Sequence, residues 1–337
     1  MTARLGIVLV NWNRWADTIE CLESVLRSSV PVRVVVIDNA SADGSPERIA
    51  AWAAGSQPIT PTDAAMARLS TPALGKPIDL VRLAAGQMHS DPAPALTLID
   101  GGGNLGFAGG NNLGIVHLLA DPAITHVWLL NNDTVIEPGA AAAILDAFDA
   151  DAAVGMCGTV VHFYHEPDTL QCLNGSRFNK YTANSTGIAM GTRADAPFDH
   201  GDVIAQTDFV LGASMAVSRA FVETVGSMED GYFLYFEEID WAYRNAGRFR
   251  TGFAAGATVY HKEGGSIGSS SVRGGRSAMS EYWLMRAKLM FVRRFLPGLL
   301  PLHLALAAAQ IARRIWRRQP GKARVMLQAL FNQPFRP

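Results

Sequence analysis

The chain has 337 residues, 49% of them hydrophobic and 18% charged, with a mean hydropathy of +0.12. This is the composition of a globular protein, long enough for one large domain or two ordinary ones, and it excludes a disordered or low-complexity chain. The net charge of −1 hides a division: residues 273–337 hold thirteen of the 29 Lys and Arg but one of the 30 acids, Glu281, so the tail carries +12 and the remainder −13. Such asymmetry predicts an anionic partner for the tail, either a membrane surface or nucleic acid.

Three widely spaced cysteines, Cys21, Cys157 and Cys172, lack metal-ligand spacing and predict reduced thiols in a cytosolic compartment. The apolar run from Leu5 breaks after Val10 at Asn-Trp-Asn, too soon for a signal peptide, and predicts a first strand over Leu5–Val10. Ile19, Leu22 and Leu26 recur at helical spacing over residues 14–28. Val32–Ile37 reads as a second buried strand, and Ser45-Pro46-Glu47 as a helix start with a cap, a first-position proline and an early acid. Strands and helices alternating at this density predict a parallel α/β sheet.

Residues 54–95, rich in Ala and Pro with weak periodicity, read as an insertion with a short helix and a strand near 78–82. Leu96–Ile99 and Val127–Leu130 read as further strands on either side of a glycine-rich stretch at 101–114. A helix is predicted from Pro138 to Phe148, strands over 154–165 and 203–218, and a helix near Arg219–Val225.

In α/β sheets ligands gather at the carboxyl ends of the strands. Three predicted strand ends carry polar clusters: Asn11-Trp-Asn13, Asp38-Asn39-Ala-Ser-Ala-Asp43 and Asn131-Asn132-Asp133. Turn chemistry alone accounts for any one of them. Gly101-Gly-Gly-Asn-Leu-Gly106 satisfies GxGxxG, which raises an NAD-dependent oxidoreductase as an alternative. The motif follows a third strand, not the first, so glycines that let backbone approach a nucleotide or sugar are the favoured reading.

The run Phe233-Leu-Tyr-Phe-Glu-Glu-Ile-Asp-Trp-Ala-Tyr-Arg244 places Glu237, Glu238 and Asp240 on the first turn of a predicted helix entered from an aromatic strand. A carboxylate at the floor of an apolar pocket acquires the raised pKa of a general base. Asp240 also stands four residues before Arg244, the spacing of a helical ion pair. Asp133, with His261 at a later strand end, offers oxygen and imidazole ligands to Mg²⁺ or Mn²⁺. The segment Glu263 to Arg276 has seven Gly or Ser in its first nine residues, then Arg273 and Arg276, a pattern suited to a lid over phosphates or to a solvated linker.

Taken in order, Val10-Asn-Trp-Asn13, Val36-Ile-Asp-Asn-Ala-Ser-Ala-Asp-Gly-Ser45, Asn104-Leu-Gly-Phe-Ala-Gly-Gly-Asn-Asn112, Leu129-Leu-Asn-Asn-Asp133, Gly212-Ala-Ser-Met215, Phe236-Glu-Glu-Ile-Asp240 and His261 with its Gly-Ser tail resemble the inverting GT-A glycosyltransferases of family 2, in their bacterial rhamnosyltransferase-like branch. The resemblance covers roughly residues 5–270. It implies a mostly parallel, Rossmann-like α/β sheet flanked by helices, a nucleotide-diphosphate sugar donor, a divalent cation (Mg²⁺ or Mn²⁺) and inversion at the anomeric carbon. Carried over by residue, Asp38 and Asn39 contact the base or ribose with Asn11 and Asn13 nearby, and Asn104, Gly106, Phe107, Gly110 and Asn132 line the nucleotide–sugar cleft. Asp133 and His261 bind the metal, and Glu238 is the base, with assistance from Glu237 or Asp240 left open and the ion pair to Arg244 the favoured role of Asp240. Outside the resemblance, Trp241 is a candidate to wall the sugar pocket, with core packing its favoured use, and Arg273 belongs to the cationic pattern suited to phosphates. The chain departs from the family pattern in having one carboxylate in the metal motif, Asn-Asn-Asp, and Glu where Asp is commoner at the base.

The expected organisation is a catalytic domain over residues 1–272, with the insertion at about 54–95, and a basic, apolar helical tail over 273–337. Residues 295–312 are nearly charge-free, but Pro297, Pro301, His303 and Gln310 argue against a membrane span. A basic amphipathic helix in the membrane interface, anchored by Trp316 within 286–324, fits better. The alternatives are a helix packed on the catalytic domain or a homodimer contact. The resulting expectation is a cytoplasmic enzyme at the inner face of the plasma membrane, moving L-rhamnose from a dTDP-sugar to a glycan or lipid-linked acceptor in cell-surface polysaccharide synthesis, with no nucleic-acid partner. A non-catalytic sugar-nucleotide-binding scaffold is the competing class.

Overall fold

The computed structural model describes residues 2–88, 94–262 and 276–336. Its organising element is a ten-stranded sheet. The first half is laid down by β1 (Leu5–Asn11), α1 (Trp15–Val25), β2 (Val32–Asp38), α2 (Ser45–Ala54), β3 (Leu80–Ala84), β4 (Leu96–Asp100), α3 (Gly106–Leu119) and β5 (His126–Leu130). Strands β3, β4, β2, β1 and β5 lie side by side in that order, all parallel. The β1, β2 and β5 runs are apolar on both faces because helices cover both, as parallel sheets require. One core cluster packs α1, α2 and the later helix α4 (Ala140–Ala150) under one face, and a second packs α3 against the other.

Beyond β5 the sheet turns mixed. Short β6 (Thr134–Ile136) precedes α4, followed by β7 (Val154–Phe163), β8 (Glu166–Leu173), β9 (Gly175–Asn179), β10 (Asn184–Gly187), α5 (His200–Gln206), β11 (Phe209–Val210), β12 (Ser214–Ser218) and α6 (Arg219–Val225). Strand β12 runs antiparallel between β5 and β7; β9, β10 and β11 form a separate three-stranded sheet. Helix α7 (Glu237–Asn245) leads into the long strand β13 (Arg250–His261), parallel to β7 and antiparallel to β6. Three helices close the chain: α8 (Ala278–Phe295), α9 (Leu300–Trp316) and α10 (Pro320–Leu330), with a small core of their own around Tyr282, Leu289, Ile311 and Met326. The other face of α8 is buried against Tyr232, Phe236 and Ile239 through Ala287 and Phe291.

Several expectations are corrected. Within residues 54–95 the strand expected near 78–82 is β3, shifted to 80–84 and placed at the sheet's edge, and Lys76 and the Leu74 amide tie the segment to Glu23 of α1. Residues 203–206, expected as strand, are the end of α5, capped by the Asp199 side chain on the Asp202 amide. The second sheet over residues 175–187 and 209–210 was not foreseen. The aromatic stretch before α7 is a turn, not a strand, with Phe233, Tyr235 and Phe236 at φ of 67°, 70° and 72°. Left-handed backbone at bulky residues is costly and persists only where surrounding contacts enforce it.

Candidate active site

The strand register aligns the first cluster. Asn11 pairs with Asp38 across β1 and β2, and Asp38 with Asp100 across β2 and β4, so these residues share one carboxyl edge. Asp38 is buried and accepts from Asn11 Nδ2 at 2.7 Å and from the Ser41 amide at 2.9 Å. Asn13, at φ 56°, donates its amide to Ser41 Oγ and accepts from the Ala42 amide, which rigidifies the loop after β2. Asn132 Nδ2 donates to Thr18 Oγ1 at 2.8 Å and to Asn11 Oδ1 at 3.3 Å, while Thr18 donates to Asn11 Oδ1 at 2.9 Å. The Asn11 side chain and Asn132 Nδ2 are therefore engaged inside the protein, where they lock the strand ends together. Asn39 keeps its Oδ1 buried without a partner while its Nδ2 donates to the Gly106 carbonyl.

The glycine stretch also differs from expectation. Gly106 sits at φ 70°, and a Cβ there would stand 2.3 Å from the Phe233 carbonyl oxygen, the acceptor of the Phe107 amide. A Cβ on Gly110 would stand 2.9 Å from Val10 Cγ1. These glycines admit the chain's own neighbours, where a close approach to ligand had been expected. Asn104 is exposed, and its Oδ1 accepts from the Gly106 amide.

Asp133 and His261 come together through the β6–β13 pairing, in which Thr134 opposes His261. Both are nearly buried, with His261 Nε2 at 3.1 Å from Asp133 Oδ1. Gln171 Oε1 lies 3.0 Å from His261 Nδ1, which orients the ring so that Nε2 faces the carboxylate, and Asn131 Nδ2 is 3.3 Å from the same nitrogen. Burial would raise the Asp133 pKa, but the charge and hydrogen bond of His261, with Arg14 more distant, bring it below the usual range. Among the described residues no group of three or more His, Cys, Asp or Glu could hold a metal. One carboxylate and one imidazole nonetheless fit a Mg²⁺ or Mn²⁺ ion whose remaining ligands are phosphate oxygens and water.

The three acids of α7 separate by environment. Asp240 is fully buried and bound by Arg244 Nε at 2.5 Å, Arg294 at 3.0 Å and the Tyr232 hydroxyl at 3.0 Å. Held by these three contacts it anchors α7 to α8, which is the ion-pair role that its spacing from Arg244 predicts and not catalytic assistance. Trp241 is likewise core: it has no exposed surface, lies against Phe221 and donates to the Gly226 carbonyl, so it cannot stack on a sugar. Glu237 is buried with neither carboxyl oxygen partnered among the described residues, and burial, then the neighbouring Glu238 and Asp240 charges, push its pKa well above the usual carboxylate range. Glu238 alone of the three lines a cavity of about 760 Å³ between α7, β9–β10, α8 and α9. Desolvation raises its pKa too. Phe107 approaches the same point, its ring tip and Glu238 Oε1 lying 3.5 and 3.3 Å from where a Cβ on Gly212 would be. Arg273, with the segment 263–275 expected to form a lid, lies outside the described residues.

Residues that sequence reasoning missed include Ser41, Thr18 and Gln171, which orient the others, and the cavity cations Lys288, Arg313 and Arg317. Their signal in the sequence was no more than the tail's basic charge.

A family model described as Glycosyltransferase like family 2 matches residues 91–280, more than half the chain. No curated protein sequence matches. Among solved structures, GalNAc-T7 with UDP, GalNAc and Mn²⁺ aligns at a TM-score of 0.53 and 11% identity, covering 85% of this chain and 47% of that one. The mannosyltransferase PcManGT from Pyrobaculum calidifontis, in complex with GDP-Man and Mn²⁺, aligns at 0.49 and 14% identity over 99% of this chain and 89% of that one. S. aureus TarS 1–349 aligns at 0.47 and 10% identity over 86% and 65%. The chain spans 39% of the longer TarS chain.

Proposed function

This chain belongs to the glycosyltransferase-like family 2, with the GT-A fold, and we propose that it is an inverting enzyme moving a sugar from a nucleotide diphosphate to an acceptor hydroxyl with Glu238 as general base. The observation that carries the assignment of the base is the cavity: of Glu237, Glu238 and Asp240, Glu238 alone faces it. Burial keeps its proton affinity high, which suits a group that must take a proton from an alcohol. The acceptor oxygen attacks the anomeric carbon from the face opposite the diphosphate, the carbon–phosphate oxygen bond breaks, and the hydroxyl proton passes to Glu238. Asp38 and the Ser41 loop hold the nucleoside end, and Asn11, Thr18 and Asn132 keep that edge rigid. Asp133 and His261 would hold the divalent cation, which supplies charge neutralisation at the leaving diphosphate when bound.

The finer reading follows from the motif resemblance and the tail. A dTDP-linked 6-deoxysugar such as L-rhamnose is the proposed donor, and a glycan or lipid-linked molecule the proposed acceptor. No helix among the described residues is long and apolar enough to cross a membrane. Helix α9 instead exposes Leu302, Ala305, Ala308, Ala312, Ile315 and Trp316, flanked by Arg318, Lys322 and Arg324, a surface complementary to anionic lipid. That surface supports peripheral attachment at the cytoplasmic face of the plasma membrane; a homodimer contact is the competing use.

The test is a melting-temperature panel of nucleotide diphosphates and sugar nucleotides with Mn²⁺ or Mg²⁺, followed by turnover. Metal-dependent stabilisation by one nucleotide family, lost in Asp133→Ala, is expected. Glu238→Gln should retain that binding and lower kcat about 10²–10⁴-fold. Stabilisation by NAD(H) alone, or undiminished turnover in Glu238→Gln, would overturn the assignment.

A further inference from the structure

The cavity that Glu238 faces has an unusual electrostatic wall. Lys288, on α8, lines it with 7% of its surface exposed, and among the described residues its ammonium has one hydrogen-bond partner, the Thr182 carbonyl. Burial lowers its pKa, with no carboxylate contributing an opposing pull. A buried cation without a counter-anion is costly unless something supplies the charge. Arg276, and Arg313 and Arg317 of α9, line the same space, and among the described residues the one ion pair of the lining cations is that of Arg314. Arg314 differs, being paired with Glu281. Asp38, Asp133 and His261 do not line this cavity, so the wall lies apart from the residues assigned to the nucleotide and its metal.

We propose that the cavity between α7 and the C-terminal helices is an acceptor subsite, in which Lys288, Arg313 and Arg317 bind a phosphate or diphosphate group carried by the acceptor. This deepens, and rests on, the reading of Glu238 as the base. The charge count favours phosphoryl over carboxylate: Arg276, Lys288, Arg313 and Arg317 have no described anionic partner, the one acid of the lining left unpaired is Glu238, and a diphosphate meets that excess where one carboxylate does not. Ser176, Ser185 and Thr186 add hydroxyls to the lining, suited to a sugar, and Leu284, Met285 and Met326 add apolar surface, suited to an alkyl chain.

The test is titration calorimetry on the full chain saturated with dTDP or UDP and Mn²⁺, so that the donor phosphate site is filled. The probes are a short-chain alkyl diphosphate, inorganic pyrophosphate and phosphatidylglycerol vesicles. The alkyl diphosphate should bind in a salt-sensitive manner, more tightly than pyrophosphate. Lys288→Met should weaken it by about tenfold or more, and Arg313→Gln with Arg317→Gln should weaken it several-fold. Nucleotide binding should be unchanged in both. Methionine fills the lysine stem's volume and removes a buried charge, and the two arginines are exposed, so both variants should fold. Equal affinity in both variants, or displacement of the alkyl diphosphate by excess nucleotide, would overturn the proposal. So would binding of pyrophosphate alone, which marks a free-phosphate site, or of vesicles alone, which marks a lipid surface. Loss of nucleotide binding in the unmodified chain would instead count against the transferase reading.

Discussion

Glu237, Glu238 and Asp240 lie within four residues, yet their surroundings assign them three different jobs. Asp240 is an ion-pair anchor, Glu238 faces the cavity, and Glu237 is buried with no hydrogen-bond partner among the described residues. Glu237 is thus a cost to the fold. Its folded-state pKa lies well above the ordinary 4.5, so above that pH the folded chain holds a proton that the unfolded chain has released. Its contribution is therefore favourable at low pH and is lost as pH rises. Replacing it by an apolar side chain of similar length, Glu237→Met, should stabilise the protein by about 1–3 kcal/mol at pH 8 and by less at pH 5, read from denaturant midpoints. A destabilised variant at pH 8 would overturn this reading. The Asp240–Arg244 pair was legible from i,i+4 spacing alone, whereas the Arg294 contact, from 54 residues away, was not.

At the scale of elements, the joint between the turn at 230–236 and the start of α3 controls where Glu238 points. The Phe233 carbonyl accepts from the Phe107 amide across Gly106, and three aromatic residues in the turn hold positive φ. Such strain at a functional site is maintained by neighbours that fit one arrangement. Gly106→Ala meets both the left-handed φ and the 2.3 Å approach, so it should cost about 2–4 kcal/mol of stability. It should also lower kcat more than it weakens nucleotide binding, because the displaced turn carries the base and not Asp38. A variant with native melting temperature and kcat would show that the joint is slack. Gly106 was visible in the sequence; that it serves helix–turn packing was not, because its partner, Phe233, is more than a hundred residues distant.

For the whole molecule, the C-terminal helices are both wall and outer surface. One side of the α8–α10 unit closes the cavity, and the opposite side of α9 leaves Ile315 and Trp316 60% and 82% exposed. If that side meets lipid, the full chain should co-sediment with phosphatidylglycerol vesicles and less with phosphatidylcholine ones. Ile315→Ser with Trp316→Ser should weaken the association by about ten- to a hundredfold, given roughly 1.5–3 kcal/mol for burying a large apolar side chain. Unchanged co-sedimentation, or a loss of dimer in its place, would assign the face to another partner.

Sequence alone determined the parallel first half of the sheet, the polar strand ends at Asn11, Asp38 and Asp133, the acids of α7 and the basic tail. All of these are local signals of apolar runs, turn chemistry and charge. It could not determine that β3 joins the sheet edge, that residues 175–210 build a second sheet, or that the tail packs beside Glu238. Those depend on pairings between distant segments, whose short strands carry weak periodicity. Nor could it sort the carboxylates, since burial and hydrogen bonding, not residue type, decide which one can act as a base.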